Sequence, residues 1–217
     1  METSKVIIDS KFIDPPEGLI VKNWAFDEEP IFKHRPRKKK LIHLVLHETA
    51  GRTASGCKRT LLKKGSGVSF IVGRDGVISQ HGDPITDRMV HANQLNETSI
   101  GIEFVNPYAP KLAKGMPVKT IPAQWWTWCP DKNDKRYVTP SPKQMKVLEI
   151  FVPWLCEQCG IPYEFPTSDL NKKKRKCDRV GWRKKRIPGP GVVAHQDFAT
   201  HADGRYLLEY LMSKKPE

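Results

Sequence analysis

Three histidines and a carboxylate occupy two widely separated stretches of the chain, and their types suit a metal site. His47 ends an apolar run that begins at Leu41, and the stretch from His195 to Asp203 supplies two more imidazoles, His195 and His201, and one carboxylate. A catalytic zinc ion takes three nitrogen, oxygen or sulfur ligands and leaves a fourth position for water or substrate, whereas structural zinc is closed by four. Three groups from this set would make an open site, so the pattern favours a zinc hydrolase.

These residues adjoin segments with the pattern of buried strands. Three apolar runs have strand length: 41–46, 99–105 and 192–194. Asp75-Gly76 predicts a hairpin turn between two further strands, at 68–72 and 77–80. Three segments have the periodicity and end signals of helices: 52–64, 141–160 and 205–212. Strands mixed with helices indicate an α/β fold, a single domain with a central mixed β-sheet flanked by helices.

The length of the chain limits the number of domains, and its charge indicates the kind of partner. At 217 residues it is long enough for one well-buried core. A Pro-dotted segment, residues 1–40, ends in a basic run and is expected to be an arm on the surface of a domain that covers 41–217, with a basic insertion at about 171–186. The net charge of +13 favours polyanionic partners such as nucleic acid, lipid headgroups or acidic cell-envelope polymers.

The sequence also gives expectations about compartment. The first residues carry an early acid and no apolar core of signal-peptide length, and no stretch is apolar enough to span a bilayer, so we expect cytoplasmic synthesis. Five irregularly spaced cysteines do not suggest a secreted disulfide framework. Cys156 and Cys159 are expected to pack as small apolar residues on a helix, with a second metal site that includes Cys129 and Cys177 as the alternative.

Seven short motifs in a fixed order resemble those of the zinc-dependent N-acetylmuramoyl-L-alanine amidases. They are His47-Glu48-Thr49-Ala50-Gly51, Phe70 to Gly76, Val90-His91-Ala92-Asn93, Ser99 to Glu103, Ser141 to Gln144, Ala194 to Asp197, and His201-Ala202-Asp203. This family includes amidase-type phage lysozymes, bacterial AmpD-type amidases and peptidoglycan recognition proteins. The resemblance covers 41–211 and implies the fold of that family, because the ordered set is far more specific than any one motif.

The resemblance implies that His47, His195 and Asp203 bind Zn2+. Glu103 stands where AmpD-like members have a catalytic glutamate, which implies a general base that takes a proton from water and passes it to the leaving amine. His201 stands where these enzymes usually have lysine, and it is expected to help to hold the oxyanion as a hydrogen-bond donor or when protonated. The implied reaction is hydrolysis of the amide between N-acetylmuramic acid and L-alanine in peptidoglycan.

Some positions differ from the family pattern, and these differences change which residues are expected to be important for catalysis. Val68 stands where some relatives have a catalytic tyrosine, which increases the importance of Glu103, and Val90 replaces the tryptophan of a Trp-His-Ala-Gly motif. His91 and Asn93 in that motif are expected to contact substrate. The alternative for His91 is that it only ties down its own loop.

The biological setting has several alternatives. The basic runs favour a phage-type endolysin attracted to anionic cell-envelope polymers, with an AmpD-like enzyme that recycles soluble muropeptides as the alternative. A non-catalytic peptidoglycan-recognition module is less favoured because all three implied zinc ligands are present. A nucleic-acid-binding protein that uses the cationic run 172–186 is also less favoured, because such a run is more often a solvated loop, and attraction to anionic envelope polymers fits it best. Trp125, Trp126 and Trp128 are expected to cover their own domain instead of forming a platform for glycans.

Overall fold

In the part of the chain that the structure describes, short strands, three α-helices and connecting turns are formed. The computed structural model describes residues 5–23, 32–123, 136–167, 187–198 and 203–215. In chain order the elements are β1 (Val6–Ile8), β2 (Lys11–Ile13), β3 (Ile20–Asn23), β4 (Arg35–Pro36), β5 (His43–Thr49), α1 (Ala54–Lys63), β6 (Phe70–Val72), β7 (Val77–Gln80), β8 (Asp87–Arg88), β9 (Ser99–Val105), β10 (Thr120–Pro122), β11 (Arg136–Val138), α2 (Pro142–Gln158), β12 (Gly191–Ala194) and α3 (Arg205–Lys214).

A six-stranded mixed sheet forms the centre of the fold. Its strands lie in the order β12, β5, β9, β6, β7, β3. The first four run parallel to one another, β7 is antiparallel to β6, and β3 is parallel to β7. The expected α/β fold with a central mixed sheet and flanking helices is therefore confirmed.

The three strands that adjoin the histidine motifs are buried along almost their whole length. Every residue of β9 and β12, and every residue of β5 except Thr49, is buried. Parallel strands covered on both faces read as continuous apolar runs, which is why these segments were recognisable in the sequence. Their carboxyl ends meet at one edge of the sheet, the place where α/β folds usually carry a site.

Helix α2 is fixed to the sheet at its first turn. Ser141 caps the helix through a reciprocal capping box with Gln144, and Pro142 occupies the first helical position. The Gln144 amide also donates to the backbone carbonyls of Val72 and Val105, at 3.2 and 3.0 Å. Gln144 thereby joins the helix start to the ends of β6 and β9, while the apolar face of α2 packs in the core.

The N-terminal segment contributes to the core, which corrects its expected character as a surface arm. Strand β3 pairs with β7 at the edge of the sheet, and Val6 and Val21 are fully buried. The Gln80 side chain accepts from the Ile7 amide and donates to the Ile7 carbonyl, at 2.9 and 2.7 Å. Within the described part of the segment, the lysines at 38–40 are exposed, as expected of a basic run on the surface.

Other expectations about loops and cysteines have mixed outcomes. Strands β10 and β11 pair antiparallel, while Trp125, Trp126, Trp128 and Cys129 lie outside the described residues. The basic insertion 171–186, with Cys177, lies outside them as well. Cys156 and Cys159 are buried free thiols in the core, as predicted. No described helix has both the length and the apolar character needed to cross a membrane.

Candidate metal and catalytic site

Strand register brings three of the expected site residues together. His47 on β5 pairs directly with Glu103 on β9. Strand β12 pairs with β5 up to Ala194, so His195, the next residue, emerges beside His47, and the two imidazole ring centroids are 4.5 Å apart. The site thus lies at the carboxyl ends of adjacent parallel strands, although its residues are far apart in the chain.

Asp203 completes a compact group of donor atoms with these histidines. Its Oδ1 lies 3.0 Å from Nδ1 of His195, and its Oδ2 lies 3.4 Å from Nδ1 of His47. All three residues are buried, with one ligand atom from each lying within 4.8 Å of the others. Burial alone would raise the pKa of Asp203, but the two imidazoles hold that pKa well below its usual range. The carboxylate is therefore ionised and ready to act as a ligand.

This donor set fits Zn2+ in both chemistry and spacing. Ligand atoms about 2.0–2.2 Å from a tetrahedral ion are roughly 3.4 Å apart, close to the imidazole–carboxylate distances found here. Two imidazoles and one carboxylate satisfy three positions and leave a fourth open, as catalytic zinc requires. The structure therefore brings His47, His195 and Asp203 together in an arrangement that can hold a divalent cation.

Glu103 has the environment of a reactive carboxyl group. Its side chain is 9% exposed, and its Oε2 atom has no hydrogen-bond partner among the described residues. Burial, reinforced by the negative charges of Asp203 and Glu48, raises the pKa of Glu103 well above its ordinary value. A divalent cation bound nearby would oppose this effect and favour the carboxylate. A perturbed carboxyl group beside a metal-ligand set is a good candidate for a general base.

The donor atoms open into a cavity of about 470 Å3. His47, Glu103, His195 and Asp203 line one part of it, and α1 with its flanking residues lines another. The α1 contribution includes Lys64, whose positive charge acts to lower the pKa of Glu103. Volumes of this size are typical of ligand pockets.

A second carboxyl group, Glu48, holds the segment that carries Asp203 from the opposite face of β5. It accepts hydrogen bonds from the Tyr137 hydroxyl, from the Asn106 amide at 3.0 Å and from the Gly204 backbone at 3.2 Å. Burial raises the pKa of Glu48 to about 7. Gly204 has φ +83°, and a Cβ there would lie 2.0 Å from the Leu46 carbonyl, so only glycine permits this approach. Sequence analysis missed this network, although a glutamate inside an apolar strand was a signal for it.

A buried ion-pair network holds the turn that begins at His195. Arg205 and Asp197 are both fully buried, and the Arg205 Nη1 atom lies 3.1 Å from Asp197 Oδ1. Arg205 also donates to the Thr167 carbonyl at 3.1 Å and to Glu209 at 2.6 Å. Because Asp197 closes the 3-10 turn that His195 opens, the network determines how that turn docks on α3. Sequence analysis missed this role of Arg205 as well.

The remaining expected site residues have different positions. His91 lines the cavity and contacts His47, with His91 Nδ1 3.0 Å from His47 Nε2. Burial, together with the electrostatic effect of the neighbouring His47 and His195 rings, lowers the pKa of His91 well below its ordinary value. Asn93 is exposed in a 3-10 turn and does not line the cavity. His201 lies outside the described residues, so its expected role remains a prediction.

A comparison with protein families gives one match that covers most of the chain. The family model described as N-acetylmuramoyl-L-alanine amidase matches residues 37–205. This range includes the strands that form the site and all of its metal-ligand candidates. A search of curated proteins finds no match to this sequence.

Solved structures with the same fold include bacterial and insect proteins. The endolysin N-acetylmuramoyl-L-alanine amidase LysCS from Clostridium intestinale superposes with a TM-score of 0.55 at 14% identity, covering 92% of this chain and 95% of that one. Drosophila peptidoglycan recognition protein SD gives 0.51 at 12% identity, with 91% and 95% covered. Peptidoglycan recognition protein LE, solved in complex with tracheal cytotoxin, gives 0.50 at 14% identity, with 89% and 92% covered. At these identities the likeness concerns the fold.

Proposed function

Because the chain belongs to the N-acetylmuramoyl-L-alanine amidase family, we propose that it hydrolyses the amide bond between N-acetylmuramic acid and L-alanine in peptidoglycan. The observation that carries the proposal is the convergence of His47, His195 and Asp203, with their donor atoms within 4.8 Å, beside Glu103 in one cavity. The match to LysCS, an amidase by its name, and the muropeptide-bound structure of peptidoglycan recognition protein LE support the same substrate class.

In the proposed mechanism, a bound cation and the side chains around it have different roles. When bound by His47, His195 and Asp203, Zn2+ supplies Lewis acidity, which polarises an amide carbonyl and makes water a better nucleophile at neutral pH. Glu103 takes a proton from the attacking water at its carboxylate and delivers it to the leaving nitrogen of L-alanine. His201 stands where these enzymes usually have lysine, and in this mechanism it donates a hydrogen bond to the oxyanion that forms on the attacked carbonyl.

The central experiment measures which bond is cut and whether the metal is needed. Purified sacculi are digested with the full chain, before and after exhaustive chelation and after addition of Zn2+, and the products are identified by mass spectrometry. We expect free stem peptides that begin with L-alanine, loss of cleavage on chelation and recovery with Zn2+. Cleavage that persists without metal would reject the zinc mechanism, and products of glycan cleavage would reject the amidase function. The variant His47→Ala serves as the inactive control.

We further propose that the enzyme is a phage-type endolysin, made in the cytoplasm and acting on the polymeric wall after release. Support comes from the net charge of +13 and from the exposed lysines at 38–40, which border a surface cavity with Arg37 and lie apart from the catalytic cavity. Such a surface would attract anionic cell-envelope polymers, with strong dependence on salt.

The lysine surface can be tested separately from catalysis. Replacement of Lys38, Lys39 and Lys40 by glutamine is expected to slow digestion of sacculi at low salt and to leave cleavage of a soluble muropeptide unchanged. Digestion of sacculi should then depend less on salt in the variant than in the wild type. Equal loss on both substrates would contradict a role in wall attraction, and a wild type that cleaves only soluble muropeptides would favour a recycling enzyme.

A further inference from the structure

A chain of hydrogen bonds runs from the loop before β9 to the metal-ligand candidate His47. The Ser99 hydroxyl lies 2.7 Å from the Leu95 carbonyl oxygen and 3.1 Å from Nε2 of His91. On the other side of the same ring, Nδ1 of His91 lies 3.0 Å from Nε2 of His47. Each of these hydrogen bonds contains one proton, which belongs to one of the two atoms that it joins. The direction of one hydrogen bond therefore determines the direction of the next.

The direction is set at the carbonyl end of the chain. The Ser99 hydroxyl and Leu95 carbonyl oxygens lie only 2.7 Å apart, which requires a proton between them. Since a carbonyl oxygen can only accept, that proton is the single hydroxyl proton of Ser99. The hydroxyl oxygen must then accept from Nε2–H of His91. In a neutral imidazole with a proton on Nε2, the other nitrogen is an acceptor, so Nδ1 of His91 accepts from Nε2–H of His47.

We propose that His91 is a positioning residue that holds His47 as the tautomer protonated on Nε2, so that Nδ1 of His47 presents its lone pair to Zn2+. The Nδ1 atom of His47 is the one that faces Asp203, at 3.4 Å. The opposite tautomer would place a proton on Nδ1 and exclude it as a ligand. Partners of this kind orient metal-binding histidines and increase their basicity. The inference rests on the proposed function, because it names zinc as the recipient of the lone pair.

The surrounding backbone is shaped to hold the His91 ring in this position. Asn96 Oδ1 accepts from the backbone amides of His91 and Ala92, at 2.9 and 2.7 Å, and so fixes the loop. Gly101 on β9 leaves the space that the ring fills, because a Cβ at Gly101 would lie 2.7 Å from Nδ1 of His91. His91 is therefore held by its own loop and also contacts a metal-ligand candidate, while its expected contact with substrate stays a prediction.

Two measurements on the full chain test the proposal, and the first needs no metal. Long-range proton–nitrogen NMR on histidine-labelled, metal-free protein should show a proton on Nε2 of His47 in the wild type, even where the Asp203 carboxylate also attracts a proton to Nδ1, with loss of the Nε2 preference in His91→Phe. Zinc affinity, measured by competition with a chromogenic chelator, should fall about 10- to 100-fold in His91→Phe. His91→Asn keeps a side-chain oxygen near the position of Nδ1 and should recover most of the affinity, a rescue that loss of ring packing would not explain.

The outcomes separate this inference from the function on which it rests. If His47 in the wild type carries a proton on Nδ1 and none on Nε2, or if His91→Phe binds zinc as tightly as the wild type, the role of His91 is overturned while the amidase proposal stands. A wild type that shows the stated tautomer but binds no zinc would overturn the proposed function, and with it the role of His91 toward zinc. If His91→Phe does not fold, His91→Asn and Ser99→Ala decide the result: the first should keep the tautomer and the second should weaken its preference.

Discussion

His47 and Glu103 lie directly opposite each other on the neighbouring parallel strands β5 and β9, so their side chains share one face of the sheet. This pairing places a metal-ligand candidate and an acid–base candidate side by side on rigid strands and not on loops. Glu103 is not one of the three ligand candidates, and its Oε2 atom has no hydrogen-bond partner among the described residues. The two residues should therefore respond differently to substitution.

Glu103→Gln is expected to keep zinc binding and to lose turnover. The amide retains the size of the side chain but cannot accept the proton of water, so kcat should fall by about 100- to 10,000-fold. Zinc affinity and the unfolding temperature should change little. The paired variant His47→Ala should instead lose both zinc and activity. Measurement of kcat on a soluble muropeptide together with zinc content distinguishes the two variants, and a Glu103→Gln enzyme with near wild-type kcat would exclude Glu103 as the base.

The buried ion pair of Arg205 should contribute strongly to stability. Arg205→Met leaves Asp197 as an uncompensated buried charge, and removal of one partner from such a pair typically costs about 3–5 kcal/mol of unfolding free energy. Lys214→Ala, on the same helix, breaks an exposed pair with Glu149 and should cost less than about 1 kcal/mol. Urea unfolding of both variants measures the two values. Similar small losses in both would show that the Asp197 charge is relieved in another way.

The parts of the site that were predictable are those encoded in contiguous sequence. Apolar runs identified β5, β9 and β12, and the resemblance of the motifs that end or follow these runs identified His47 and His195 as candidate ligands. The capped start of α2 at Ser141 was likewise visible in local sequence. In these elements local pattern and tertiary structure agree.

The parts that were not predictable depend on long-range partners. Strand β3 lies in a Pro-dotted segment, and its four residues become a strand because β7 offers an open edge. Arg205 and Glu209 have the i, i+4 spacing of an ordinary surface pair, and only the approach of Asp197 and Thr167 makes Arg205 fully buried. The hydrogen bond between His91 and His47 likewise depends on the space that Gly101 provides.

The stability of the fold should decrease below neutral pH because of His81. This side chain is 4% exposed, and its Nδ1 atom has no hydrogen-bond partner among the described residues. Burial, assisted by the charges of Lys58 and His34, lowers the pKa of His81 from 6.5 to about 4. Between these two values the unfolded chain binds more protons than the folded chain, so stability falls as pH decreases from 6.5 toward 4. At pH 5 this effect amounts to about 2 kcal/mol.

The His81 contribution can be isolated by comparison of the wild type with His81→Gln. The difference in unfolding free energy between the two proteins should shift in favour of the variant by about 2 kcal/mol when the pH is changed from 7.5 to 5. Denaturant titrations at several pH values measure this difference and cancel the contributions of other groups. A difference that stays constant with pH would show that His81 is not forced to remain neutral by folding.

Gly101→Ala should weaken zinc binding without removal of any ligand or hydrogen-bonding group. The new Cβ would lie 2.7 Å from His91 Nδ1, 2.8 Å from His91 Cγ and 2.9 Å from Val68 Cγ1, so the His91 ring must shift from the position in which it contacts His47. Gly189→Ala is the matched control, because among the described residues its Cβ would meet Pro166 alone, at 3.4 Å, an ordinary contact. We expect weaker zinc affinity in Gly101→Ala and no change in Gly189→Ala, with both measured by chelator competition on folded protein. If Gly101→Ala binds zinc as the wild type does while NMR shows the His91 ring displaced, the position of that ring is not what prepares His47 for the metal.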